Sequence, residues 1–147
     1  MTTWDEFTDG LAEELATLPA GALVTIDTDA PDTQAGFAQF AQTQDKLHAE
    51  LGAYADLDPA AGPDAPGNRL VLGAGWHAPG GDNDINWWFE LPWPVRSAIY
   101  RELAAMVVVG LRDAFHVLGP DRLVYQAWNS SANNQPLDLP LLGIAKQ

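Results

Sequence analysis

Two short stretches hold the residue types from which chemistry is built. Asp82, Asp84 and Asn86 follow the D-x-D-x-N opening of a calcium-binding loop. Such a loop needs glycine at its sixth place for the sharp turn and a bidentate glutamate at its twelfth. Those places hold Trp87 and Trp93. The pattern therefore fails as an EF-hand and reads as a polar turn into a strand, with a weak incidental cation at Asp82 and Asp84 left open. His48-Ala49-Glu50 matches the H-x-E of zinc deaminases, but that chemistry also requires a P-C-x-x-C pair. The chain has no cysteine, which removes disulfides, thiolate zinc sites and cysteine nucleophiles together and agrees with a cytoplasmic protein.

Other catalytic patterns fare no better. Ser97, Ser130 and Ser131 lie in no G-x-S-x-G elbow. Gly73-Ala74-Gly75 has neither dinucleotide-loop spacing nor a P-loop lysine. His48, His77 and His116 form no i, i+4 pair, and sequence alone singles out no glycosidase-like carboxylate pair. A small metal-dependent hydrolase using Asp82, Asp84, Glu90 and His77 is the enzymatic alternative. The favoured reading is a protein that is not an enzyme, with no catalytic, cofactor-binding or metal-ligating residue.

Charge narrows the partner. The net charge is -13, and residues 1–93 carry 16 acidic against 2 basic residues, while residues 94–147 carry 4 against 5. An acidic body repels phosphate, so nucleic acid and anionic membranes are poor partners and a basic protein is a better one. No apolar run approaches the ~18 residues of a membrane span, and MTTWDEF starts too polar for a secretory signal.

The elements that must position these residues follow from periodicity. Trp4, Phe7, Leu11, Leu15 and Leu18 make one stripe of a helix over 3–18, opened by a Thr3/Glu6 capping box. Strands are predicted over 22–28, 36–42 and 46–54, with links short enough for an antiparallel meander. In the third, Lys46, His48 and Glu50 alternate with Leu47, Ala49 and Leu51. Residues 55–67 are a Pro/Gly loop. Residues 68–76 fit either a short helix ended by Gly73 or Gly75 or a buried strand. A strand over 85–91 precedes a long helix starting at Pro94, and a last strand covers 122–128. The order implies an α+β fold, a mostly antiparallel sheet against an N-terminal and a long C-terminal helix. It forms one domain over 1–128, followed by a tail over 129–147 that is loose or packed on the domain or on a neighbour.

The aromatics are in surplus. Consecutive Trp87 and Trp88 point to opposite faces of a strand, so one enters the core and the other meets a helix, the tail or a partner. Partner-binding residues are read as Trp87, Trp88, Phe40 and Glu50. Gly75-Trp76 with Pro79 reads as a structural corner, and Trp93 packs back on the first turns of the long helix.

Several of these pieces, in this order, resemble the actinobacterial TY-Chap domains, named for type III secretion chaperones and the YbjN proteins. They are Trp4 with Phe7, Phe37-Ala38-Gln39-Phe40, Leu47-His48-Ala49-Glu50, Gly75-Trp76-His77-Ala78-Pro79, Asn86-Trp87, and Leu111-Arg112 through Phe115, Val117, Pro120, Leu123 and Tyr125. The Pro-rich 55–67 stretch and the tail depart from that pattern. The resemblance implies a bacterial, secretion-chaperone-like fold without catalysis or cofactor, which dimerises and holds an extended client. The alternative binder is an immunity or antitoxin-like protein masking a basic toxin by its acidic face.

Overall fold

A computed structural model describes residues 2–29, 36–52, 57–80 and 85–147. Helix α1 (Trp4–Ala16) begins as its capping box dictates. The Thr3 hydroxyl accepts from the Glu6 amide at 3.1 Å, and the Glu6 carboxylate accepts from the Thr3 amide at 3.1 Å. Three strands follow as a meander: β1 (Ala22–Thr28), β2 (Ala38–Gln42) and β3 (Lys46–Leu51). Residues 66–74 settle into helix α2 (Pro66–Ala74), with Pro66 in the first turn and Gly75 closing it at φ 121°, a value that favours glycine. Strand β4 (Trp87–Pro92) pairs antiparallel with β3.

The long helix starts later than Pro94. Trp93 still donates its amide to the Asp45 carbonyl at 3.0 Å, so the chain is held to the sheet border and coils only from Ser97. Helix α3 (Ser97–Val108) runs into a π-helical turn, Val109–Ala114. Strand β5 (Leu123–Asn129) returns beside β1 along seven antiparallel pairs. Short strands β6 (Gln135–Pro136) and β7 (Ala145–Lys146) then line the far border of β5, the second of them parallel to it. The strand order is β4-β3-β2-β1-β5-β6, with β7 also on β5. The fold is α+β, an antiparallel sheet but for β7, with α1 and α3 packed on each other.

Alternation decides the core. Ala22, Val24, Ile26, Ala38, Phe40, Leu47, Ala49, Leu51, Trp87, Leu91, Leu123, Tyr125 and Ala127 all face the helices and are buried. Gly110 lies where a side chain would strike Leu51, a built Cβ standing 2.5 Å from its Cδ1, so the π-helical turn after α3 presses directly on β3. Two tryptophans lock the core by their ring N–H groups, Trp76 to the Met106 carbonyl at 3.0 Å and Trp87 to the Leu57 carbonyl at 2.8 Å. A buried indole satisfied this way keeps its area without an unpaired donor. Trp93 is part-buried against the same core.

Part of the stretch after Asn129 packs on the domain. Leu139 and Leu142 are buried, Leu137 and Ile144 are part-buried, and the Pro140–Leu142 turn lies on α1.

Candidate functional site

The other face of the sheet belongs to the alternate residues of the same strands. Every one of them in β1 to β5 is at least part-exposed, so no helix seals them. Register aligns them in two transverse rows. Trp128, Leu23, Ala41, His48 and Glu90 form one; Gln126, Thr25, Gln39, Glu50 and Trp88 form the other. Strands lie ~4.8 Å apart, so Trp128 on β5 and Trp88 on β4 stand roughly 19 Å apart across the sheet. Between them is a shallow pocket of ≈ 260 Å³ lined by Leu23, Val24, Thr25, Gln39, Phe40, Ala41, His48, Glu50 and Trp128. Its floor is apolar and one wall carries charge.

That wall is a hydrogen-bonded network spread over three strands and the approach to β4. Each ring nitrogen of His48 stands 2.9 Å from a carboxylate oxygen, Nδ1 from Glu90 and Nε2 from Glu50. Carboxylates only accept. Both contacts are therefore hydrogen bonds when the imidazole carries two protons, and a neutral ring makes one of them. Glu50 also accepts from Asn86 Nδ2 at 3.0 Å and from Gln39 Nε2. Burial pushes the Glu50 carboxyl up, but the Asn86, His48 and Gln39 donors outweigh it and hold it below the usual value. Glu90 is likewise held low, by Lys46 at 3.0 Å and by His48. The network keeps both carboxylates ionised and fixed in place.

Trp88 is ordered by two imidazoles. His77 lies 4.6 Å away between ring centroids, and His48 stacks near-parallel at 6.5 Å. His77 and Trp88 also exchange backbone hydrogen bonds of 2.9 and 3.0 Å. The indole is half-buried and stands at the rim, the state of an aromatic that can anchor a partner without ordering a floppy side chain.

Residues 1–129 match TY-Chap3, described as T3SS (YopN, CesT) and YbjN peptide-binding chaperone 3. The chain belongs to this family. No curated protein and no solved structure matches it. As a TY-Chap3 chain, its coarse role is that of a peptide-binding chaperone module, and its partner is a peptide or protein. No helix among the described residues is long and apolar enough to cross a membrane.

The four residues read from sequence as partner-binding divide between the two faces. Glu50 and Trp88 are neighbours in one outer row. Phe40 and Trp87, 2% and 1% exposed, turn their side chains to the helix side, though Phe40 also borders the pocket from below. The cause is parity: Phe40 shares its face with Ala38 and Gln42, and Trp87 with Leu91. Asp82 and Asp84 lie outside the described residues, and among those described no group of three or more His, Asp or Glu residues is placed to hold a metal ion. Sequence reading missed Trp128, Leu23, Ala41 and Gln39. The signal was present in the alternation of β1 and β5, but nothing in one strand says which strand lies beside it.

Proposed function

We propose that the open sheet face is where this TY-Chap3 protein holds its client, an extended segment lying across the strands between Trp88 and Trp128. The supporting observation is the pair of transverse rows with an apolar floor between two tryptophans and an ordered carboxylate wall. An apolar client side chain fills the pocket over Leu23 and Ala41. A Lys or Arg side chain of the client reaches Glu50, whose charge is already fixed by its donors, so little further ordering is needed on binding. The acidity of the whole chain steers a cationic segment to the face. Holding, with no bond made or broken, is the whole of the activity, in a bacterial cytoplasm.

The test is an immobilised peptide array probed with the wild-type chain and with Trp88→Ala, Trp128→Ala and Glu50→Gln. Bound peptides should carry an apolar residue flanked by Lys or Arg. The tryptophan variants should lose most of the signal, and Glu50→Gln should lose preference for the cationic peptides and much of the salt sensitivity. Equal binding by all four proteins would place the client elsewhere.

A further inference from the structure

The second surface built to receive a polypeptide is the cleft between α1 and the outer border of β5, and this chain's own residues 135–147 already lie in it. What holds them is directed at main chain. The buried Glu14 side chain accepts the Leu141 amide at 2.9 Å, and the Tyr125 hydroxyl accepts the Leu139 amide at 3.0 Å. Thr2 donates its hydroxyl to the Gly143 carbonyl at 2.7 Å. The Tyr125 and Ala127 carbonyls accept from the amides of Gln147 and Leu137 at 2.7 and 3.0 Å. Gly10 completes the set. It is buried in mid-helix, where glycine is costly, and a built Cβ would stand 1.8 Å from the Leu141 carbonyl oxygen. Helix α1 is thus notched for a chain crossing it. Leu139 and Leu142 enter fully, and Leu137 and Ile144 pack part-buried beside them.

These receptor groups all lie within residues 1–129, matched by the family, whereas the segment they hold lies beyond them. The segment also fits the strand border incompletely. It pairs at Gln135 and Pro136, arches away over α1, and rejoins at Ala145 and Lys146 in the opposite direction. A border paired in two pieces leaves part of its main chain to a better-matched strand.

We propose that this cleft is a second polypeptide-binding site, that residues 135–147 occupy it in cis, and that a client segment with two leucine-like side chains three positions apart takes their place. It goes beyond the open-face reading and uses none of its residues. Cis occupancy lowers the apparent affinity for a client by the fraction of time the cleft is open.

The probe is a fluorescent peptide of residues 134–147 titrated by anisotropy into the full chain and into full-length Leu139→Ser/Leu142→Ser. The double variant, with its own segment weakened, should bind the peptide on the order of tenfold or more tighter than wild type. Adding Gly10→Val to it should abolish binding, and Trp88→Ala should leave binding unchanged. Hydrogen exchange of the wild type supplies an independent reading: the Leu139, Leu141 and Leu142 amides should exchange well ahead of those in β1 to β3. Exchange of those amides together with the sheet, loss of cooperative melting in the double variant, or peptide binding that survives Gly10→Val would each overturn the proposal.

Discussion

The two faces of the sheet are made from the same strands, yet they treat aromatic and acidic residues in opposite ways. On the helix side Trp76 and Trp87 are sealed and each spends its N–H on a backbone carbonyl. On the open side Trp88 rests between imidazoles with an edge to solvent. Acidic groups divide likewise. Glu14, on α1 and facing the arching segment, is pushed above its usual value first by burial, with the Leu141 amide only partly offsetting this. Glu50 and Glu90 are held below theirs by several donors. Burial without enough partners makes a structural carboxylate that tolerates charge poorly; part-exposure with many partners makes one that stays charged and ready to pair. Function is to be looked for where charge is held in place, not where it is merely enclosed.

The sharpest break of that contrast is by truncation of the indoles. Trp76→Ala or Trp87→Ala opens a large cavity and strands a backbone carbonyl, and either should cost about 3–5 kcal/mol in urea unfolding. Trp88→Ala should cost about 1 kcal/mol or less while client binding falls. Equal losses at Trp87 and Trp88 would erase the distinction between the faces. The smallest effect is the most specific. Glu50 and Glu90 have lowered folded values, so their contribution is present above pH 4.5 and is lost as pH falls through those values. Glu14 is raised, so its effect has the opposite sign: stability drops as pH climbs from 4.5 through the raised folded value. Urea midpoints measured across acidic pH should show Glu50→Gln less stable than wild type at neutral pH and less sensitive to acid. Glu14→Gln should be more stable than wild type at neutral pH, since an amide oxygen can still accept the Leu141 N–H without burying charge. Parallel pH profiles for the two variants would contradict the assignment.

Much of the frame was legible in the sequence because its signals are local. The Thr3/Glu6 box, the alternation of Lys46 to Leu51 and the opposite faces of Trp87 and Trp88 each need only a few residues of context. Residues 68–76 were ambiguous for the same reason: nine residues with apolar positions spread around give no clear period, and Pro66 and Gly75 at the ends carried the decision. The burial of Phe40 is not legible from its own strand, because an aromatic in a strand announces burial only once the parity of its neighbours is fixed. The pocket was invisible, since Trp128 and Ala41 meet across β1 only through long-range register. Residues 135–147 show no period because they are not an element with a face; they are held by a few apolar side chains and a run of main-chain hydrogen bonds.

The bridge from His77 to Trp88 also bears on how this protein behaves in a crowd of its own copies. It occupies backbone groups along one border of the sheet, and residues 135–147 occupy the other. A sheet with both borders engaged gives a second sheet few free amides to template on. On the cleft proposal, displacing residues 135–147 uncovers the β5 border to a second copy, and a client seated in the cleft covers it again.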